Sequence, residues 1–201
     1  MRRVCYSITV AVLGGCMWCT PVLGGEGSAI VSHLQSSLLS VMKESKQLAY
    51  QGRYQKLESV VKNSHDLPSV MRLAVGKHWK TLTDDQKAHL LMTFTQLSIA
   101  TYAGRFDGYS GETFTVISEK TTPRGRFLVE TQLTKADGKP VRFNYLLHHS
   151  HGEWRIINII VDGVSDLALK RAEYSNILKT KGFSSLVAML EKQIHKYASD
   201  Q

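Results

Sequence analysis

Three histidines stand together in "HHSH" at His148, His149 and His151, the most obvious metal candidate in the chain. Imidazole nitrogens hold zinc or copper when they converge on one point. Here the residues alternate as on a strand, which sends His148 and His149 to opposite faces, while Gly152 places His151 in a turn. The three rings diverge, so a solvated hairpin tip accounts for them better than a metal site. Asp162 and Asp166 lie four residues apart and imitate the carboxylate pair of an acid–base site. Helix capping, or a salt bridge to Lys170 or Arg171, explains them more simply. Asp84 and Asp85 read as acids in the first turn of a helix. H-E-x-x-H, G-x-S-x-G and the P-loop are all missing, so no catalytic or metal residue is assigned and no cofactor is implied. A small enzyme using Asp162 or His148 stays open as an alternative.

The elements that would position a site change character along the chain. "SAIVSHLQSSLLSVMKESKQLAY" repeats Ile30, Leu34, Leu38, Val41, Met42 and Leu48 at helical intervals, predicting one long helix from Ser28 to about Tyr50. A second helix follows Gly52 with Tyr54, Leu57, Val60 and Val61. Asp66 and Pro68 suit the entrance of a third. Thr83 and Gln86 form a capping box that opens a fourth, with Leu90, Leu91, Phe94, Leu97, Ile99 and Tyr102 on its apolar face and Gly104 or Gly108 at its end. From Gly111 onward a period of two takes over in "ETFTVISE", "RFLVETQLT", "PVRFNYLLH" and "EWRIINIIVD", separated by turns at "KTTPRG", "KADGKP" and "HSHGE". Four antiparallel strands in a meander follow. One face collects Phe114, Val116, Phe127, Val129, Leu133, Val141, Phe143, Tyr145 and Leu147, whereas the last strand offers apolar groups to both faces. Two helices close the chain, Ser165 to about Thr180 and Ser184 to about Tyr197, parted by Gly182. The fold class is α+β: a curved four-stranded antiparallel sheet packed by N-terminal and C-terminal helices.

Arg2 and Arg3 precede the apolar run "ITVAVLGGCMWC", and small residues follow in "PVLGGEG". Residues 1–24 therefore read as a secretory signal peptide, with cleavage before Gly25 and a single domain over 25–201. A competing reading takes Leu13 to Cys16 as a lipoprotein box and leaves Cys16 acylated. Cys5, Cys16 and Cys19 all fall inside this segment, so cleavage before Gly25 removes every thiol, and with them disulfides and thiolate catalysis. The net charge of +8 drops to +6 when Arg2 and Arg3 leave. Anionic head groups or an acidic protein surface suit that charge, as does a basic exterior without a partner. Nucleic acid is disfavoured, because neither zinc-finger spacing nor a concentrated basic block is present.

"DGVSDLALKRAEYSNILKTKGFSSLVAMLEKQI", with "DLP" at Asp66 to Pro68, "WKTLTDDQ" at Trp79 to Gln86 and "ATYAGRFDGYSGE" at Ala100 to Glu112, resembles the MlaC family of periplasmic lipid-binding proteins. The phrases "TYAGRFDGYSGE" and "VDGVSDLALKRAEY" most resemble its hopanoid-associated branch, HpnM. The resemblance implies a periplasmic shuttle for a phospholipid or a hopanoid, working around an apolar cavity. It implies an MCE-domain protein of an inner-membrane ABC transporter as partner, with an outer-membrane lipoprotein complex as a further one. It supplies no catalytic residue and no metal.

Two acyl tails hold on the order of 30 methylenes at about 0.8 kcal/mol each, so a free lipid in water lies roughly 24 kcal/mol uphill. A carrier must cover most of that surface, which calls for a pocket near the top of the usual ~300–1,000 Å³ range. The lipid-binding walls expected are Leu73, Leu91, Phe94, Leu97 and Tyr102 from the helices, Phe143, Tyr145 and Ile157 from the sheet, and Val164 with Leu167 at the corner after the last strand. A binding or scaffolding module with a dry, packed interior is the remaining alternative.

Overall fold

The computed structural model describes residues 25–199, so the segment read as a signal peptide, the alternative lipoprotein box and all three cysteines lie outside the described residues. Four helices come first: α1 (Glu26–Lys43), α2 (Ser45–Ser64), α3 (Leu67–Val75) and α4 (Asp84–Arg105), with a 3-10 turn at Gly76–Thr81 before α4. Strands β1 (Thr113–Thr121), β2 (Phe127–Thr134), β3 (Pro140–Ser150), β4 (Glu153–Val161) and β5 (Val164–Ser165) form one antiparallel sheet in sequence order. Helices α5 (Asp166–Thr180) and α6 (Phe183–Ser199) complete the described chain.

The helix starts follow from local chemistry. Asp66 Oδ1 accepts from the Ser69 amide at 2.9 Å, and Pro68 occupies the first turn of α3, where it forfeits no helical bond. Thr83 Oγ1 accepts from the Gln86 amide at 3.2 Å while Gln86 Oε1 accepts from the Thr83 amide at 3.0 Å, which closes the capping box of α4. Helix α1 starts against the sheet: the Ser28 amide and hydroxyl donate to Glu119 Oε2 at 2.6 and 2.5 Å, placing a carboxylate at a positive helix end.

Three expectations are corrected. The long helix to about Tyr50 breaks at Glu44, whose carboxylate is held by Ser40 and Lys56, and α2 then runs through Gly52 with a kink at Ala49. Arg53 explains much of this local order, because its buried Nε donates to the Ala103 carbonyl of α4 at 2.8 Å. Helix α4 passes through Gly104 and ends at Arg105. That glycine is a contact point: a Cβ there would lie 2.5 Å from the Tyr197 ring of α6, so the two helices approach as closely as they do only without a side chain. Finally, the sheet has a fifth strand. Asp162 and Gly163 have φ of 47° and 86°, the paired positive values of a two-residue type I′ turn, and fold Val164 back onto Val161.

The apolar face expected for β1–β3 is the one that register assembles. Phe114 stands opposite Leu133, Val129 opposite Tyr145, and Phe127 opposite Leu147. The expectation that the adjacent isoleucines of β4 serve opposite faces is also corrected by a bulge between Leu146 and Leu147, which leaves Ile157 unpaired and breaks the alternation, so that Ile156 and Ile157 are both buried and border the same pocket. A second bulge in β1 leaves Ile117 unpaired and 57% exposed. Beside β4 the sheet edge is covered by β5 and by residues His65 and Asp66, whereas β1 pairs only with β2. Leu34, Leu38, Leu57, Met71, Leu90 and Leu186 fill the core between the helices and the sheet.

Candidate functional site: a pocket between helices and sheet

A pocket of about 570 Å³ opens between the sheet and helices α4, α5 and α6. Helix α4 contributes Phe94, Leu97, Ser98, Thr101 and Tyr102 from successive turns of one stripe, ending in Arg105. The sheet contributes Leu133 from β2, Val141, Phe143 and Tyr145 from β3, and Ile156, Ile157, Ile159 and Val161 from β4. Period-two geometry is why Val141, Phe143 and Tyr145 share this face. Leu67 and Val70 arrive from the start of α3, Tyr174 from α5, and Gln193 with Tyr197 from α6. Its volume sits in the middle of the range for ligand pockets, below the size expected from the sequence.

Of the walls chosen from sequence, Phe94, Leu97, Tyr102, Phe143, Tyr145 and Ile157 line this pocket together. Leu73, Leu91, Val164 and Leu167 lie outside its lining. Leu73 and Leu91 are half-buried on α3 and α4, beyond the turns that border the pocket. Val164 is 53% exposed in β5. Leu167 misses because the stripe of α5 facing the pocket is Asp166, Leu169, Lys170 and Glu173, and one residue along a helix turns the side chain by about 100°. The sequence reading missed Val141, Ile159 and Val161, although each stands opposite or two residues from a chosen wall, and Leu133, which stands opposite Val141. It also missed His65, for which periodicity gave no signal.

His65 is the polar centre of the inner wall. Its Nε2 lies 3.0 Å from the Tyr102 hydroxyl, and its Nδ1 lies 2.9 Å from Ser64 Oγ and 3.3 Å from the Val61 carbonyl. A carbonyl can only accept, so the network assigns the imidazole proton to Nδ1 and makes Tyr102 the donor to Nε2. Burial holds the imidazole pKa down to about 4, opposed by the Val61 carbonyl, so His65 is neutral near pH 7. Burial also raises the Tyr102 phenol well above its ordinary value and pushes Tyr145 up to about 12, with Gln35 opposing the latter shift. Both imidazole nitrogens are engaged, so His65 pins two elements and leaves no free lone pair for a base.

The residues first weighed for chemistry are held by other contacts, and of them only Asp166 borders the pocket. His148 Nε2 meets Asp66 Oδ2 at 2.7 Å, His149 packs edge-on to Trp154, and His151 turns to Ser150. Burial alone would raise the Asp66 carboxyl, but the Ser69 amide and His148 together hold it below its usual value. Asp162 Oδ1 accepts from the Arg142 amide at 2.9 Å, and Asp166 is paired with Lys170. Neither Asp162 nor His148 borders the pocket. Asn158 ties the corner together, its Oδ1 accepting from the Leu167 amide at 3.1 Å and the Ser165 hydroxyl at 3.2 Å. A more open cleft of about 530 Å³ lies between Glu26, Ile30, His149 and Trp154, where Trp154 Nε1 donates to Glu26 Oε2 at 2.6 Å.

The arrangement can enclose apolar matter. The model of the MlaC protein family matches residues 32–192. The chain belongs to the MlaC family. Among MlaC relatives, it is 24% identical over 122 residues to the intermembrane phospholipid transport system binding protein MlaC of Haemophilus influenzae. That match covers 59% of this chain and 57% of the relative. The fold is similar to that of a phospholipid-binding protein from Ralstonia solanacearum solved in complex with a phospholipid, with a TM-score of 0.76 and 19% identity. The alignment spans 87% of this chain and 100% of that one. At that identity the likeness establishes the MlaC-like fold and nothing finer. Among the described residues no helix is long and apolar enough to cross a membrane.

Proposed function

We propose that this protein is a periplasmic phospholipid carrier whose acyl chains enter the pocket between α4 and the β2–β4 face. The observation that carries the reading is the pocket itself, where Phe94, Leu97, Phe143 and Ile157 face one another across about 570 Å³ in a chain of the MlaC family. Each methylene moved from water into such a space gains about 0.8 kcal/mol, so binding needs no specific polar contact to the tails. Two full tails exceed the volume, and their accommodation requires the walls to part or the chain ends to protrude. Residues 1–24 direct export and leave on cleavage before Gly25, with acylation of Cys16 as the minor alternative. The cargo is a phospholipid, or a hopanoid as in the branch whose phrases the chain resembles. The exchange partners are an MCE-domain protein of an ABC transporter and an outer-membrane lipoprotein complex. The role requires no catalytic step.

Gentle mass spectrometry and solvent extraction of freshly purified protein test this directly. The native chain is expected to release or take up phospholipid from vesicles, and Phe143→Arg to load at least roughly tenfold less, because a buried guanidinium in the tail space is costly. Circular dichroism establishes that the variant is folded. A native protein that carries no lipid and takes none from vesicles refutes the reading.

A further inference from the structure

The rim of the pocket is electrically lopsided. On the α5 side Asp166 is paired with Lys170, and Glu173 stands exposed beside them. From α4 and β2 the lining includes Arg105, the last residue of α4, and Lys135, the first residue after β2. Both are exposed, and among the described residues neither side chain makes a hydrogen bond or ion pair. The carboxylate that senses Lys135 most directly is Asp137, and it is already paired with Lys139 at 2.7 Å. The chain path brings the two cations to one end of the pocket. Thr134 pairs with Thr113, and Thr113 opens the strand that follows the short connection from Arg105. Two unpaired cations thus border the same opening as an α5 stripe whose own charges sum to negative, and the interior between its walls is largely apolar.

We infer that Arg105 and Lys135 form the phosphate-binding edge of the pocket, gripping the phosphodiester of a lipid whose tails lie inside. This rests on the carrier reading above and adds to it the residues that hold the head group. A guanidinium offers paired N–H donors to phosphate oxygens, and a lysine on a flexible stem supplies a second charge from the hairpin. The α5 side, with Glu173 exposed, repels the same group. The lipid therefore has one orientation at the mouth, its phosphate toward the α4–hairpin edge. Both cations are solvated, so their contribution is modest and sensitive to salt.

The test uses the full exported chain and mixed vesicles of phosphatidylcholine and diacylglycerol with matched tails. These carry no net charge, which removes bulk attraction between a basic protein and the membrane. Lipid taken up is extracted and quantified by mass spectrometry. The native protein is expected to prefer phosphatidylcholine, and the double variant Arg105→Gln/Lys135→Gln to lose roughly five- to tenfold of that preference while taking up diacylglycerol as before. Raising the salt to about 1 M should erode the native preference in the same direction. A control, Lys46→Gln/Lys179→Gln, removes equal charge at exposed positions away from the pocket and is expected to keep it. Uptake of both lipids without preference, a double variant that retains the preference, or a control that loses it equally overturns the phosphate edge and leaves the carrier reading standing. Failure of the native protein to take up either lipid overturns both. Soluble glycerophosphocholine should not displace bound lipid at millimolar concentration; displacement would reassign the edge to free phosphodiesters and overturn the lipid assignment.

Discussion

Replacing His65 with glutamine should change how stability depends on pH more than it changes stability itself. In the folded chain the imidazole is buried against Tyr102 and Val61 and its pKa lies at about 4, whereas an unfolded histidine titrates near 6.5. Above the unfolded value both states are neutral and His65 contributes no pH dependence. As the pH falls through that window the unfolded chain takes up a proton that the folded chain refuses, so stability drops by about 1.4 kcal/mol per unit. The loss accumulates to roughly 3 kcal/mol once the pH reaches the folded pKa, a large share of the ~5–15 kcal/mol that holds a typical domain. Carboxylates also titrate on the acid side, so the quantity to measure is the difference between native and variant. Urea unfolding of both proteins, stripped of lipid, at several values between about pH 7.5 and pH 4.5 supplies it. At neutral pH His65→Gln is expected to cost about 1–2 kcal/mol through the weakened bonds to Val61 and Tyr102. The native advantage should then shrink and reverse as the medium is acidified. A difference that stays flat across the range would mean that His65 is protonated in the fold or reached by water, and would refute the burial argument.

Two further substitutions probe the sheet side of the pocket. Gln35 is buried and its Nε2 donates to Thr131 Oγ1 at 2.9 Å and to the Tyr145 hydroxyl at 3.4 Å. Gln35→Leu is expected to cost about 1–3 kcal/mol in denaturant unfolding, and adding Tyr145→Phe should recover part of it, because removing both partners strands no polar group. Gly163→Val should lower stability by about 1–3 kcal/mol through backbone strain alone, since φ is 86° and no heavy atom lies within 4 Å of the added Cβ. Gly163→Asn, which tolerates that region, should recover much of the loss in a thermal melt.

What the sequence revealed divides along lines of interaction range. The capping box at Thr83 and Gln86, the Asp66–Pro68 entrance and the shared face of Phe143 and Tyr145 are decided by neighbours a few residues away, and they were legible. The fifth strand was not, because two residues carry no periodicity, although the same Asp-Gly signal was read as a hairpin turn at Asp137 and Gly138. The break at Glu44 hid inside an unbroken apolar rhythm; it goes with long-range partners, Lys56 and the α4 carbonyl that receives Arg53. Gly104 looked like a helix stop and is a point of contact with a helix far along the chain. The pocket-facing stripe of α5 was also hidden, since charged Asp166, Lys170 and Glu173 stand in it beside Leu169 and Tyr174 and blur the apolar pattern.

The bulge at Ile117 bears on the molecule before it is folded and loaded as much as after. A regular β1 would present a straight row of unsatisfied amides and carbonyls beside Val116 and Ile117, a template on which a second chain could add a strand. The extra residue breaks that row in the middle, Lys120 follows within the same strand, and Glu119 is committed to the start of α1. In β1 a single unpaired isoleucine is the irregularity that interrupts the straight edge on which an added strand would pair.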